Sequence, residues 1–220
     1  MIIKEVAVEN FTQIPEAIAN GATRIELNDN LAVGGTTVSR GVLEEAAKYL
    51  GEKQVPLVAM IRPRAGNFVY NDLELKIMEH DLFTAQQLGV DAVTFGALTS
   101  GGELDEEAME LLIAASGGMQ VVLHMAFDMI KPELQRASLD WLVEHEVTRV
   151  LTHGGALDQP IERTIPHLRE IIEWAGSAIE VLPGGGINYQ NYQQLLEQLP
   201  VKQLHGTKLV PLANVKTDWR

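Results

Sequence analysis

The chain has 220 residues, 46% of them hydrophobic and 21% charged, a balance that excludes a fibre, a disordered tail and a disulfide-stapled miniature. Its formal charge of −13 repels nucleic-acid phosphates, and the absence of cysteine removes disulfides, thiolate nucleophiles and cysteine-ligated zinc or iron–sulfur centres. Charges at Lys4, Glu5 and Glu9 break the apolar run a signal peptide needs, and no segment offers the roughly 20 uninterrupted apolar residues of a membrane span. The expectation is a soluble cytoplasmic protein with neither nucleic-acid nor membrane partner.

Short β-branched runs alternate with longer segments of helical spacing. Ile2 to Val8 predicts a first strand, followed by a helix in FTQIPEAIANG that Gly21 stops. TRIELN predicts a second strand, LAVGGTTVS a glycine-rich loop, and Ser39 caps a helix running to Gly51. PLVAMIR reads as a third strand broken by Pro63, and Asp72 to Leu88 as a helix with Asp72 at its N-cap and Gly89 as its stop. VDAVTFG, then a helix in LDEEAMELLIAAS capped near Asp105, then a fifth strand through MQVVLHMAF continue the pattern. PELQRASLDWLVEH starts with Pro132 in its first turn, where a missing N–H does no harm. TRVLTHG is a strand, and IERTIPHLREIIEWAG a helix expected to kink or start at Pro166. AIEVLPGGG, the helical YQNYQQLLEQL and the strand VKQLHGT complete the series.

Eight strands separated by seven helices give about 27 residues per unit, near the minimum for a βα module. Alternation implies parallel pairing with right-handed crossovers, and eight repeats is the number that closes a TIM-like (β/α)8 barrel in preference to an open sheet. About a dozen residues follow the last strand, so the final helical segment is expected to be short or irregular. No compositional break marks a second domain, and residues 1–220 read as one.

Chemistry in such barrels sits at the C-terminal strand ends. Those ends carry Glu26 and Asn28, Arg62 and Arg64, His124 and Asp128, Thr152 and His153, Gly184, Gly185 and Gly186, and His205, Thr207 and Lys208. Arg62 and Arg64 flank Pro63 and could form a fork for a carboxylate or phosphate, or an ion pair with Glu26 that fills the interior. His124 and His205 could meet across the mouth as acid, base, ligand or filler. Two-residue spacing would put Asp128 on the face of His124 if the fifth strand continued that far. The Gly184 to Gly186 run with Thr207 and Lys208 fits an anion cradle, or a tight turn. His153 reads as a loop residue. The methionines read as core filler, although Met60 and Met125 lie near the mouth and a thioether with histidine can hold Cu(I).

RIELN before a GG loop, MIRPRAGNFVY, DAVTFGALTSGGELD, HMAFD, VLTHGGA, LPGGGIN and LHGT occur in the order that resembles the CutC family, barrel proteins assigned to copper homeostasis. The resemblance spans almost the whole chain and is most specific from Ile61 to Tyr70. It implies a TIM-like barrel, a cytoplasmic location, self-association and a role in handling copper, and it carries mouth residues over to Glu26, Arg62, Arg64, His124, Asp128 and His205. The chain departs from the family pattern at Ala7 and Asn28, where cysteine is usual, at Met125, where arginine is usual, and at His153, where serine is usual. Cu(I) prefers soft thiolate and thioether donors, so a chain without cysteine is ill-equipped to capture it tightly, and metal ligands stay unassigned. Three readings remain open: a copper homeostasis protein that binds copper weakly if at all; an enzyme acting on a small phosphorylated or carboxylated metabolite; and a non-catalytic scaffold. In the enzyme reading Glu26, His124, Asp128 and His205 are catalytic, while Arg62, Arg64, Gly184, Gly185, Gly186, Thr207 and Lys208 bind the anion.

Overall fold

Residues two apart along a strand share a face, and here one face turns to the barrel axis and the other to the surrounding helices. The computed structural model describes residues 2–213. Its strands are β1 (Ile3–Glu9), β2 (Arg24–Asn28), β3 (Leu57–Met60), β4 (Ala92–Phe95), β5 (Gln120–Leu123), β6 (Arg149–Thr152), β7 (Glu180–Pro183) and β8 (Gln203–Gly206). They are parallel and pair in the order β7-β6-β5-β4-β3-β2-β1-β8. At the seam, Gln203 Nε2 of β8 donates to Glu180 Oε2 of β7 at 3.0 Å, and the ring is that of a TIM-like (β/α)8 barrel.

The helices are α1 (Ile14–Ala19), α2 (Arg40–Lys53), α3 (Asp72–Gln87), α4 (Glu106–Ala115), α5 (Pro132–Glu144), α6 (Ile161–Ala175) and α7 (Tyr192–Gln198). Outward strand residues such as Val6, Ile25, Leu57, Val93, Leu123 and Val150 pack with their apolar faces into one continuous core. A second, smaller cluster of Val58, Ala92, Val122, Leu151 and Leu182 fills the barrel interior. Polar residues take over the inward positions elsewhere, and they define the site.

Several local expectations need correction. The N-cap of α3 is Asn71, not Asp72: its side chain accepts from the Leu73 and Glu74 N–H groups, and Glu74 returns a bond to the Asn71 N–H, a capping box. Helix α2 runs past Gly51 to Lys53, because Gln54 takes the left-handed conformation (φ 56°) that ends it. Pro166 lies inside α6 without ending it; a proline forfeits one i−4 bond, while buried Ile165, Leu168 and Ile171 hold the helix to the barrel. Strand β5 stops at Leu123, and residues Met125–Met129 form a 3-10 turn in place of the expected continuation. After β8 no helix forms through residue 213, and the rest of the expected short final segment lies outside the described residues.

Candidate functional site

At the C-terminal end of the barrel lies a cavity of about 390 Å³, lined by residues from several strand ends, among them Glu26, Met60, Arg62, His124, Met125 and His205. Phe68 closes one wall: its ring lies 4.7 Å from that of His124 and 5.0 Å from the Arg62 guanidinium. Gly185, Gly186, Thr207 and Lys208 line the cavity at the loops after β7 and β8. Gly185 and Gly186 have φ of 82° and 74°, where a side chain would be strained. Gly184 sits just beneath, in a space that Leu151, Met125 and His205 leave too tight for a Cβ.

His205 and Glu26 meet on one wall. His205 is buried, its Nδ1 is 2.8 Å from Glu5 Oε1, and its Nε2 is 3.9 Å from Glu26 Oε1. Glu5 in turn pairs with Arg24, whose Nη2 donates to Gln203 Oε1 at 2.8 Å. Burial alone would push the Glu5 carboxyl up, but the His205 hydrogen bond and the charges of Arg24, His205 and Arg149 outweigh it and bring it down to about 2. Glu26 moves the other way, raised chiefly by burial and further by the Glu5 charge, against the opposing pull of His205. Burial would lower His205, yet Glu26 and Glu5 together raise it. Asn28 Nδ2 donates to Glu26 Oε1 at 2.9 Å, and Glu26 Oε2 has no partner.

His124 stands on β5's end under different influences. It is buried and caps the 3-10 turn, with Nδ1 accepting from the Ala126 N–H at 3.2 Å. Burial and the nearby Arg62 charge push its pKa down to about 3. The ring is therefore neutral near pH 7, and because Nδ1 accepts, the proton sits on Nε2, which has no partner.

The arginine fork does not form. Arg62 spends Nη1 on the Val33 and Gly35 carbonyls (2.9 and 2.8 Å) and Nη2 on Gly66 (2.8 Å), leaving only Nε unpaired. It therefore ties two loops to the mouth, and it does not make the interior ion pair with Glu26. Arg64 turns away: it pairs with Glu74 and donates to the Asn67 and Val69 carbonyls, and it is not part of the cavity lining. Asp128 does not orient His124, because the 3-10 turn swings it toward β6. There it accepts from Thr152 Oγ1 at 2.6 Å and from the His153 and Gly154 N–H groups at 2.9 and 3.0 Å. His153 is buried, not a loose loop residue; its Nδ1 and Nε2 lie 3.1 Å from the carbonyls of Gly184 and Gln159.

Sequence reasoning missed Glu5, Arg24 and Gln203. The available signal was charge at inward-alternating strand positions: Arg24, Glu26 and Asn28 are two apart, as are Glu5 and Ala7. Glu5, Glu26 and His205 each bring one ligand-type atom within 4.8 Å of the others, the arrangement from which a cation could be held. Carboxylate and imidazole are hard or borderline donors, and Arg24 already occupies Glu5.

Fold and cavity define a TIM-like barrel with a cavity at its C-terminal mouth into which a few buried polar side chains are set. The CutC family model matches residues 2–210, and the chain belongs to that family. It is 54% identical to a CutC family protein of Enterococcus faecalis over 95% of this chain and all of that one. It is 38% identical to a human protein named copper homeostasis protein cutC homolog, over 92% of this chain and 72% of that one. A crystal structure of CutC from Streptococcus agalactiae superimposes with a TM-score of 0.93 at 47% identity, covering 96% of this chain and all of the other. Among the described residues, no helix is long and apolar enough to cross a membrane.

Proposed function

We propose that the mouth cavity binds a small carboxylated or phosphorylated metabolite and that Glu26, His124 and His205 together serve an acid–base reaction on it. One observation carries this reading. Three residues of the cavity lining, Glu26, Arg62 and His124, each hold a buried side-chain atom without a partner: Oε2, Nε and Nε2. A buried polar atom left unpaired costs about 1–3 kcal/mol, and a ligand that supplies the missing partners recovers that cost. Arg62 Nε and His124 Nε2 are donors suited to an oxyanion, with Lys208 and Thr207 at the rim to meet a second anionic group. Arg64 and Asp128 have no part in it.

The test is a thermal-shift series with small carboxylates and phosphates, since a ligand that binds only the native state raises its melting temperature. The expected result is a concentration-dependent rise for at least one compound that Glu26→Gln and His124→Asn both diminish. A flat response across the series rejects the reading.

Copper handling is the second reading, favoured by the names of the relatives and by Met60, Met125 and His205 lining one cavity. Copper would be cargo here. The donor set fits Cu(I) poorly, because the chain has no thiolate to add to two thioethers and an imidazole. Competition against a Cu(I) chelator decides it: failure to compete removes direct binding.

A further inference from the structure

The cavity holds two buried imidazoles whose hydrogen bonds fix them in different roles. His124 has Nδ1 engaged by a backbone N–H and presents Nε2–H. His205 has Nδ1 turned to a carboxylate and its Nε2 beside Glu26. The bond from a neutral donor such as His124 to an uncharged carbonyl oxygen is modest in the ground state. It strengthens as charge develops on that oxygen, which is how a site favours a transition state over a ground state. The opposite wall offers what such a reaction also needs, a carboxylate oxygen with no partner. Its neighbours are Asn28 and His205, and Glu5 holds His205 in place.

Resting on the metabolite-binding reading, we propose that the cavity enolises a small α-hydroxycarbonyl or 2-oxo compound. Glu26 Oε2 takes the proton from the carbon beside the carbonyl. The C–H electron pair moves into the new carbon–carbon double bond, and the carbonyl π pair moves onto oxygen. His124 Nε2–H and Arg62 Nε–H hydrogen-bond that oxygen. Return of the proton to the same carbon restores the compound. Where that carbon bears a hydroxyl, the hydroxyl proton passes to the enolate oxygen, and return of the carbon proton to the former carbonyl carbon then gives the isomer, with no oxidant or reductant consumed. His205 is a positioning residue: anchored by Glu5, it sets its Nε2 3.9 Å from Glu26 Oε1. The raised Glu26 carboxyl and the neutral His124 ring accord with a base and an electrophile working near neutrality.

The experiment is solvent-deuterium wash-in, read by proton NMR, with the wild-type chain and four probes: hydroxyacetone, dihydroxyacetone phosphate, ribulose 5-phosphate and pyruvate. At least one probe is expected to exchange its α-hydrogen on the order of 100-fold faster than in buffer. Glu26→Gln, purified identically, should lose that acceleration, which also excludes a contaminating isomerase. His124→Asn, whose amide oxygen can still accept from the Ala126 N–H, should lower kcat at least about tenfold with a smaller change in KM. His205→Gln should shift the pH profile of the exchange. Absence of wash-in for all four probes, or wash-in that survives Glu26→Gln, overturns the proposal. Thermal shifts with these probes separate the two levels. Stabilisation without wash-in leaves the binding reading standing and removes enolisation, and neither effect removes both.

Discussion

The β8–β1–β2 wall of the barrel and the β5 wall each bury a histidine at the mouth, and the two rings are shifted in opposite directions. His205 lies beside Glu5, which is paired with Arg24, and beside Glu26, and the two carboxyl groups raise its pKa against burial. His124 is met by one backbone N–H, an aromatic ring and a guanidinium, and its proton is expelled. Similar burial, with 7% and 3% of the surface exposed, thus accompanies opposite shifts. Desolvation sets the starting penalty on the charged form, and the neighbours on each wall decide whether it is overcome.

The largest effect should come from breaking the ionised wall. Arg24→Met leaves Glu5 as a buried carboxylate that has lost its main cation, a change that typically costs about 3–5 kcal/mol. Urea unfolding should show that loss, and adding Glu5→Gln should restore part of it, because an uncompensated charge is worse than no charge. A stability for Arg24→Met within about 1 kcal/mol of wild type would show that the network is not what holds this wall.

The next effect separates the histidines by pH. His124 has a folded pKa far below its ordinary value, so below pH 6.5 the unfolded chain takes up a proton that the folded chain refuses. Stability should therefore fall on acidification from about pH 6.5 toward 3, with a limiting slope of about 1.4 kcal/mol per pH unit from this group. His124→Asn should lose that component. His205, raised when folded, runs the other way: its contribution is complete below pH 6.5 and is lost as pH rises through its folded pKa. Glu5 adds a further loss on the acid side, between its ordinary value near 4.5 and about 2. Unfolding curves of wild type and His124→Asn that stay parallel from pH 7 to 4 would contradict the assignment.

Two glycines sharpen the same contrast through packing. A Cβ on Gly206, beside His205, would come within 2.5 Å of the Ile187 carbonyl oxygen. On Gly96, beside His124, it would meet the Leu123, Ala126 and His124 side chains at 2.7–3.0 Å. Side chains can shift and a backbone carbonyl can do so only with its strand. Both alanine variants should cost about 1–3 kcal/mol, with Gly206→Ala the larger; the reverse order would place the more rigid wall on the β5 side.

These walls also show what a sequence can and cannot reveal. The barrel was legible because eight short β-branched runs are separated by seven segments of helical period, and strand ends pick out Glu26, Arg62, His124 and His205 as cavity residues. Glu5 and Arg24 were hidden because a charged residue within a strand reads as solvent-facing until the barrel closes and turns it inward. Asp128 and Arg64 were misplaced for a local reason. A 3-10 turn and a capping interaction each redirect a side chain over a few residues, and hydrophobic periodicity does not encode such turns.

Arg64 supplies the outer reference for the comparison. Like Arg24 it pairs with a glutamate, but its side chain is 35% exposed, and water screens most of what a buried pair would contribute. Its partner Glu74 is also the N3 residue of the α3 capping box, so stability in this region should depend on the cap more than on the ion pair. Asn71→Ala removes the acceptor for the Leu73 and Glu74 N–H groups and should cost about 1 kcal/mol. Arg64→Met should cost less. Because neither residue lines the cavity, both variants should retain the wild-type thermal shift with any ligand that stabilises the protein. A ligand response lost in Arg64→Met while the fold persists would bring the second arginine back into the site.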